Sequence, residues 1–172
     1  EAGVFELARG ALLKKGMVLD ALDIGVVTGV FDNHIGIDGI EDRKDLARIK
    51  RLVVEKARKL AVLNADDPYF DLWRGMTRAR VLSFGVDRKA DYSATDITET
   101  LLDEGFRTTF TLRTPVASTA VQLNLGGRHN LRNALCAAAA AQSAGATLDE
   151  VAAGLAGMQP VGGRLKPART TS

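Results

Sequence analysis

Short apolar runs separated by a helical pattern dominate the first half of the chain. The runs are "AGVFE" (2–6), "DIGVVTGVF" (23–31) and "LAVLNADDP" (60–68), and each ends in polar or turn-forming residues. None alternates cleanly between apolar and polar positions, which is typical of parallel strands covered on both faces. We predict a buried strand in each run.

The segment between the second and third runs has a helical period. From Arg43 to Lys59 the apolar residues recur at spacings of three and four, with charges between them: Leu46, Ile49, Val53 and Ala57. This spacing places them on one face of a helix. The order strand, helix, strand predicts an α/β fold with a mostly parallel sheet flanked by helices.

The second half combines strands and helices differently. "RARVLSFGV" (78–86) predicts one more strand of the sheet. Residues 92–125 then alternate β-branched and polar residues around a turn signal, "DEG" (103–105), which predicts a small antiparallel β insertion. Two helices follow: "NLRNALCAAAAAQSAG", ending at Gly145, and "TLDEVAAGLAGM", which opens with a capping box of Thr147 and Glu150.

Composition excludes several classes of protein. The 172 residues include 23 Lys and Arg interspersed with 21 Asp and Glu, and a net charge of +2 does not indicate a nucleic-acid partner. No run of 18 uncharged apolar residues is present, so we expect no membrane span. The single cysteine, Cys136, rules out an internal disulfide and is consistent with the cytoplasm. The chain lacks both an initiator Met and a signal-peptide pattern, and we interpret it as an excerpt of a larger protein.

Two predicted strands end in residues that can bind a metal. Glu6 closes the first run, and Asp32, Asn33 and His34 follow the second. The carboxyl edge of an open α/β sheet is where ligands bind, and Mg²⁺ takes one or two protein ligands together with water and phosphate oxygens. The alternative is that His34 is a hydrogen-bonded loop residue.

Lys50 lies on the apolar face of the predicted helix, beside Leu46, Val53 and Ala57. One interpretation is a lysine whose stem packs on this face and whose amine reaches water. The other is a partly desolvated amine with a lowered pKa, able to react with CO₂ to form a carbamate that binds metal.

The motif "GGRHNLRNA" (126–134) stands at the entry of the Ala-rich helix. The first-turn N–H groups of a helix favour anions, and an Asn side chain suits the edge of a base such as adenine. Asn130 is alternatively an N-cap, with Asn133 its helical neighbour.

Two quoted stretches carry a family resemblance. "FELARGALLKKGMVLDALDIGVVTGVFDNHIGIDGIEDRKDLARIK…AVLNADDP" resembles the Mur-ligase-like half of cyanophycin synthetases. "GGRHNLRNALCAAAAAQSAGATLDEVAAGLAGMQPVGGRL" resembles the central ATP-binding domain of Mur ligases in general. The resemblance implies a P-loop NTPase-like fold of the Mur ligase central domain type.

The resemblance also implies roles for individual residues. Glu6 and His34 match magnesium ligands, and Lys50 matches a lysine that several members carbamylate and that then joins the metal site. Asn130 and Asn133 match asparagines near adenine, and Arg164 matches an arginine that faces the nucleotide phosphates. His129 travels with the same nucleotide-binding motif. The implied cofactors are therefore ATP and Mg²⁺.

Three departures from the family pattern stand out. Gly29 and Asn33 occupy positions where the family usually has Asn and Asp, and no G-x-x-G-K-[ST] loop occurs in these residues. We therefore predict that residues 1–165 are the C-terminal portion of a central domain and that 166–172 begin a linker. A missing strand would leave an exposed sheet edge, so we predict homo-oligomer formation by edge pairing and little activity for this portion alone.

By resemblance, the parent protein is an ATP-dependent amide-forming ligase acting through an acyl phosphate. The favoured version is similar to cyanophycin synthetase, with an aspartate polymer and arginine as substrates. The alternative within ligases is a peptidoglycan Mur ligase that adds a dipeptide to a UDP-muramoyl peptide. The alternative from another class is a degenerate, non-catalytic nucleotide-binding or scaffold module, suggested by Gly29 and Asn33.

Overall fold

The computed structural model describes residues 3–17, 19–31, 35–102 and 105–159. The chain divides into two compact units, Glu1–Phe84 and Gly85–Ser172. The first unit is a three-stranded parallel sheet with helices, and the second combines a three-stranded antiparallel sheet with two helices. The predicted α/β fold with an antiparallel insertion is confirmed.

The first unit contains three helices and three strands among its described residues. In chain order they are α1 (Arg9–Lys15), β1 (Leu22–Val27), α2 (Arg43–Glu55), β2 (Ala57–Asn64), α3 (Phe70–Arg74) and β3 (Arg80–Phe84). The sheet order is β1-β2-β3, and both pairings are parallel. All three strands therefore have their carboxyl ends at one edge of the sheet.

The central strand β2 carries the core of this unit. Ala61, Val62 and Leu63 are each fully buried. Consecutive buried residues show that both faces of the strand are covered, which explains why its sequence does not alternate.

Helix α2 packs directly on β1 at Gly25. A Cβ at this glycine would lie 2.6 Å from the main-chain oxygen of Val53 on α2. The helix begins at Asp42, whose carboxylate accepts from the Asp45 N–H at 2.9 Å. It ends at Glu55, four residues before the predicted end, because the chain from Ala57 onward pairs with β1.

The strand predicted for "AGVFE" is wrong. Residues 3–8 are neither helix nor strand, and Val4 and Phe5 are 97% and 71% exposed. A short apolar run becomes a strand only where a neighbouring strand pairs with its backbone, and residues 3–8 belong to no strand pair.

The second unit begins with the predicted antiparallel insertion. Its strands are β4 (Ser93–Leu102), β5 (Gly105–Arg113) and β6 (Ser118–Leu123), in the order β4-β5-β6. Leu102 pairs with Gly105, as a tight hairpin requires. The other two residues of the predicted "DEG" turn, 103 and 104, lie outside the described residues.

Two helices complete this unit: α4 (Arg128–Ser143) and α5 (Leu148–Ala156). Gly145 lies just beyond the end of α4 with a φ of +104°. Thr147 and Glu150 form both bonds of the predicted capping box at the start of α5. Within the described residues, no helix has the length and apolar character needed to cross a membrane.

Candidate functional site

Polar side chains from the end of β2 hold the chain that leaves β1. Asn64, the last residue of β2, is 4% exposed, and its side-chain amide donates to the Thr28 carbonyl at 2.9 Å. Its side-chain oxygen accepts from the Asp66 N–H at 3.0 Å. Asn64 therefore links the two strand-end loops at the carboxyl edge of the sheet.

Asp67 makes a second link between the same loops. Its Oδ2 accepts from the Val30 N–H at 2.7 Å, and its Oδ1 accepts from the Tyr69 N–H at 2.8 Å. The residue is 5% exposed. Both carboxylate oxygens have backbone donors, which compensates for part of the cost of burying a charge.

Lys50 reaches this edge from helix α2. Its ammonium donates to the Gly29 carbonyl and lies 5.9 Å from the centre of the Phe31 ring. Burial lowers the pKa of Lys50, and the nearby Asp67 carboxylate offsets part of that shift. The amine is therefore partly desolvated and bonded to the protein, unlike that of a lysine whose head group lies in water.

Gly29 fits this arrangement because it has no side chain. Its φ is +141°, a conformation that L-residues rarely adopt. A Cβ here would lie 2.9 Å from Asp67 Oδ2. The carboxylate of Asp67 thus fills the space next to residue 29, which gives a physical reason for the glycine at this position.

Of the three predicted metal ligands, the described residues include Glu6 and Lys50 but not His34. Glu6 is exposed in the irregular segment before α1, rather than at a strand end. His34, with Asp32 and Asn33, lies outside the described residues. The part of the chain that the structure describes has no group of three or more His, Cys, Asp or Glu side chains arranged to bind a metal. A protonated Lys50 has no free electron pair with which to bind a metal. Magnesium binding by Glu6, His34 and Lys50 stays a prediction.

The start of α4 differs from the prediction for Asn130. The N-cap is Gly127, and Asn130 lies inside the first turn, where its amide donates to the Gly126 carbonyl at 2.7 Å. The suggested N-cap role of Asn130 is wrong, because the helix begins three residues earlier than its side chain suggests. Asn133 and His129 are exposed. Arg164 lies outside the described residues.

Carboxylates surround the same helix start. Asp87 accepts hydrogen bonds from Arg128 and from Arg132, the latter at 3.0 Å. Glu99 on β4 accepts from the Gly127 N–H at 2.5 Å. A negative side chain is favourable at a helix N-terminus, and the bond satisfies one donor there.

The residues that organise the sheet edge were not among the predicted site residues. Asn64 and Asp67 belong to "NADDP", whose composition indicates only a turn. The available signal was two polar residues, one ending the apolar run of β2 and one shortly after it, at the edge where ligands bind. Nothing local in the sequence identified Asp87 or Glu99 as partners of the α4 start.

The fold and this edge define an α/β protein of the kind that binds ligands where its parallel strands end. Residues 1–141 match the Mur ligase middle domain, and the chain belongs to that family. Curated relatives include a "UDP-N-acetylmuramoyl-L-alanyl-D-glutamate--2,6-diaminopimelate ligase" of Geobacillus kaustophilus, 35% identical over 150 residues. A "UDP-N-acetylmuramoyl-tripeptide--D-alanyl-D-alanine ligase" of Escherichia coli is 44% identical over 110 residues. A "Cyanophycin synthetase" of Crocosphaera subtropica is 30% identical over 167 residues.

These three alignments cover 84%, 63% and 90% of this chain, respectively. Among solved structures, MurF from Acinetobacter baumannii is similar, with a TM-score of 0.74 and 27% identity over 86% of this chain. The chain spans 30%, 24% and 19% of the length of the three curated relatives and 31% of the MurF chain. It therefore corresponds to one part of each of these proteins.

Proposed function

We propose that this chain is part of an ATP-dependent ligase that joins a carboxylate to the amine of an amino acid or peptide. Membership of the Mur ligase middle domain family over residues 1–141 is the observation that carries this proposal. The polar carboxyl edge of the parallel sheet supports it, because such an edge suits a phosphate-bearing ligand.

The proposed reaction has two steps. A carboxylate oxygen of the acceptor attacks the γ-phosphorus of ATP, which forms an acyl phosphate and releases ADP. The incoming amine then attacks the acyl carbon, and phosphate leaves as the amide bond forms. The protein's part in such chemistry is mainly positioning and charge neutralisation. Bound Mg²⁺ would supply further positive charge at the phosphates.

We assign Lys50 a role in binding phosphate or metal at the sheet edge. Its ammonium is held at the sheet edge by the Gly29 carbonyl and is partly desolvated. Charges act more strongly in such surroundings than in water. Isotope-edited mass spectrometry of the intact protein under ¹³CO₂ distinguishes the two forms of the amine, the cation and the carbamate.

We assign adenine recognition to the exposed side chains of the α4 start. Asn133 and His129 are exposed in the first two turns of the helix, whereas the Asn130 amide is already bonded to the protein. Within this proposal, Asn133 contacts the base, and Asn130 shapes the turn that presents it. Arg164 is proposed to face the nucleotide phosphates.

A peptidoglycan ligase is the favoured version of this function. Relatives with that activity in their names match at 44% and 35% identity, against 30% for the cyanophycin synthetase. We therefore favour a UDP-muramoyl peptide as the acceptor, with diaminopimelate or a D-alanyl-D-alanine dipeptide as the amine. This reverses the preference that the sequence motifs suggested.

Cyanophycin synthesis is the second candidate. Its support is the extent of the similarity, since the alignment with that relative covers 90% of this chain. The acceptor in that case would be the side-chain carboxylates of an aspartate polymer, and the amine would come from arginine.

The test uses the whole gene product with ATP and Mg²⁺. Phosphate release is measured with three substrate pairs: UDP-muramoyl dipeptide with diaminopimelate, UDP-muramoyl tripeptide with D-alanyl-D-alanine, and poly-aspartate with arginine. Each pair is also run without its amine, and mass spectrometry confirms the amide product. Turnover with either of the first two pairs supports the favoured version, and turnover with the third supports the second candidate. Failure to turn over any pair, with nucleotide bound or not, would favour a non-catalytic module instead.

A further inference from the structure

One peptide group at the sheet edge is held at both ends by charged side chains. The carbonyl oxygen of Gly29 accepts from the Lys50 ammonium, and the N–H of Val30 donates to Asp67 Oδ2 at 2.7 Å. These two atoms belong to the same peptide bond. The C=O and N–H of a trans peptide point in opposite directions, so the cation and the anion lie on opposite sides of it.

Asp67 is itself rigidly placed. Its second oxygen accepts from the Tyr69 N–H at 2.8 Å, two residues along the chain. That local bond is an ordinary Asx turn and needs only one carboxylate oxygen. The bond to Val30 joins residues 37 apart and is buried. It is not part of the turn, and it connects the turn to the chain that leaves β1.

The neighbouring peptide group is held from the same strand end. The Asn64 amide donates to the Thr28 carbonyl at 2.9 Å. Since Asn64 and Asp67 are 4% and 5% exposed, water does not compete freely for either bond. The chain leaving β1 is therefore fixed over two successive peptide groups.

We propose that Asp67 is a positioning residue that acts through the Gly29–Val30 peptide on Lys50. By fixing the N–H end of the peptide, Asp67 aims the carbonyl end at α2, and the carbonyl holds the lysine amine at the sheet edge. Gly29 is required because Asp67 occupies the space of a Cβ at that residue, 2.9 Å away. What Lys50 does in the reaction rests on the proposed function, but this chain of contacts does not.

The first test replaces Asp67 by asparagine in the whole gene product. Asparagine is the same size and keeps one acceptor for the Tyr69 N–H, but its amide group would face the Val30 N–H, donor against donor. Asp71→Asn is the matched control, because Asp71 is an exposed carboxylate of the same unit. Lysines are dimethylated with formaldehyde and cyanoborohydride, and the rate at Lys50 is read by peptide mass spectrometry. Lys59, whose side chain is 76% exposed, serves as the internal reference.

We expect Asp67→Asn to label Lys50 roughly 3- to 10-fold faster relative to Lys59, the factor corresponding to one hydrogen bond. Because the Asp67 charge also raises the pKa of Lys50, the rates are measured from neutral pH up to the ordinary lysine pKa. A difference that disappears once the amine is neutral in both proteins would overturn the proposal. The thermal midpoint is measured in parallel, so that selective release of Lys50 is distinguished from general unfolding. Unchanged Lys50 labelling in a folded Asp67→Asn protein would overturn the proposal.

A second measurement needs no variant. Amide hydrogen exchange of the wild-type protein should show the Val30 N–H strongly protected compared with the amide of exposed Phe5. Equal exchange at the two sites would overturn the proposal even if Asp67→Asn did not fold.

The enzymatic readout separates this inference from the proposed function. If the protein is a ligase, we expect Asp67→Asn to lower kcat with little change in the KM for ATP, because Lys50 would be misplaced without loss of the nucleotide-binding residues. If no ligase activity is found, the labelling and exchange results still decide the role of Asp67.

Discussion

The indole N–H of Trp73 on α3 donates to the main-chain carbonyl of Ala47 on α2, at 3.0 Å and out of contact with solvent. Both residues are fully buried. The bond fastens a helix of five residues, too short to be stable alone, to the helix that carries Lys50.

Shortening Trp73 should therefore destabilise the first unit in two steps. Trp73→Phe loses the hydrogen bond and should cost about 1 kcal/mol, while Trp73→Ala also leaves a cavity and should cost about 3–5 kcal/mol. Urea unfolding followed by circular dichroism measures this, because Trp73 is the only tryptophan and its fluorescence is lost in both variants. Leu72→Ala at a 39% exposed side chain is the control. Equal losses for Trp73→Phe and Leu72→Ala would contradict the importance of the indole bond.

Two glycines should respond to alanine in opposite directions. Gly145 has a φ of +104° beyond α4, so Gly145→Ala should destabilise the second unit by about 1 kcal/mol. Gly154 lies inside α5, and a Cβ there would meet nothing within 4 Å. Gly154→Ala should stabilise by about 0.5–1 kcal/mol. Thermal unfolding of the two variants measures both changes in stability. Changes in the same direction for both variants would contradict this prediction.

The capping box of α5 should make stability depend on acid pH. The bonds from the Thr147 N–H and hydroxyl, at 2.8 and 2.9 Å, lower the pKa of Glu150 below its ordinary 4.5. The ionised carboxylate thus stabilises the folded state above pH 4.5, and this benefit is lost as the pH falls through the lower folded-state pKa.

Glu150→Gln keeps the size and one acceptor but removes the charge. We expect it to be less stable than wild type at neutral pH, with a difference that shrinks in acid. Thermal midpoints across that pH range measure the difference. In a Thr147→Ala background the pH dependence of the same substitution should be weaker, and an unchanged dependence would refute the hydroxyl's role.

Alanine substitutions at Asn130 and Asn133 should have different effects, the first on stability and the second on nucleotide binding. Asn130→Ala loses the 2.7 Å bond to the Gly126 carbonyl and should cost about 1 kcal/mol of stability. Asn133→Ala removes an exposed side chain and should change stability by less than about 0.5 kcal/mol, yet raise the KM for ATP. Thermal unfolding and ATP titration of the ligase activity provide both measurements. An unchanged KM in Asn133→Ala would contradict the proposed contact between Asn133 and adenine.

Features encoded by neighbouring residues could be predicted from the sequence. The period of α2, the apolar run of β2 and the Thr147–Glu150 box each depend on residues within a few positions of one another. The alternation of residues 92–125 likewise predicted the antiparallel sheet, because β5 and β6 each have one buried face.

Features that depend on distant partners could not. "AGVFE" has the composition of a buried strand, but residues 3–6 join no strand pair. Helix α2 was predicted too long, because only the pairing of Ala57 with Leu22 reveals where β2 begins. The bond between Val30 and Asp67 spans 37 positions, so the sequence offered "NADDP" only as a turn. The metal site at Glu6, His34 and Lys50 stays a prediction.

The contact at Gly25 sets how far Lys50 reaches. The backbone of α2 at Val53 lies so close to β1 that a single methyl group at residue 25 would come within 2.6 Å of it. Val53 is one helical turn beyond Lys50. Any substitution that moves this turn of α2 away from β1 therefore also moves the Lys50 side chain away from the sheet. The length of a lysine side chain is fixed, and the closeness of helix to strand decides whether its amine arrives at the Gly29 carbonyl or stops short. The absence of a side chain at Gly25 thus lets α2 pack close to β1, and this distance determines where the Lys50 ammonium lies at the carboxyl edge of the sheet.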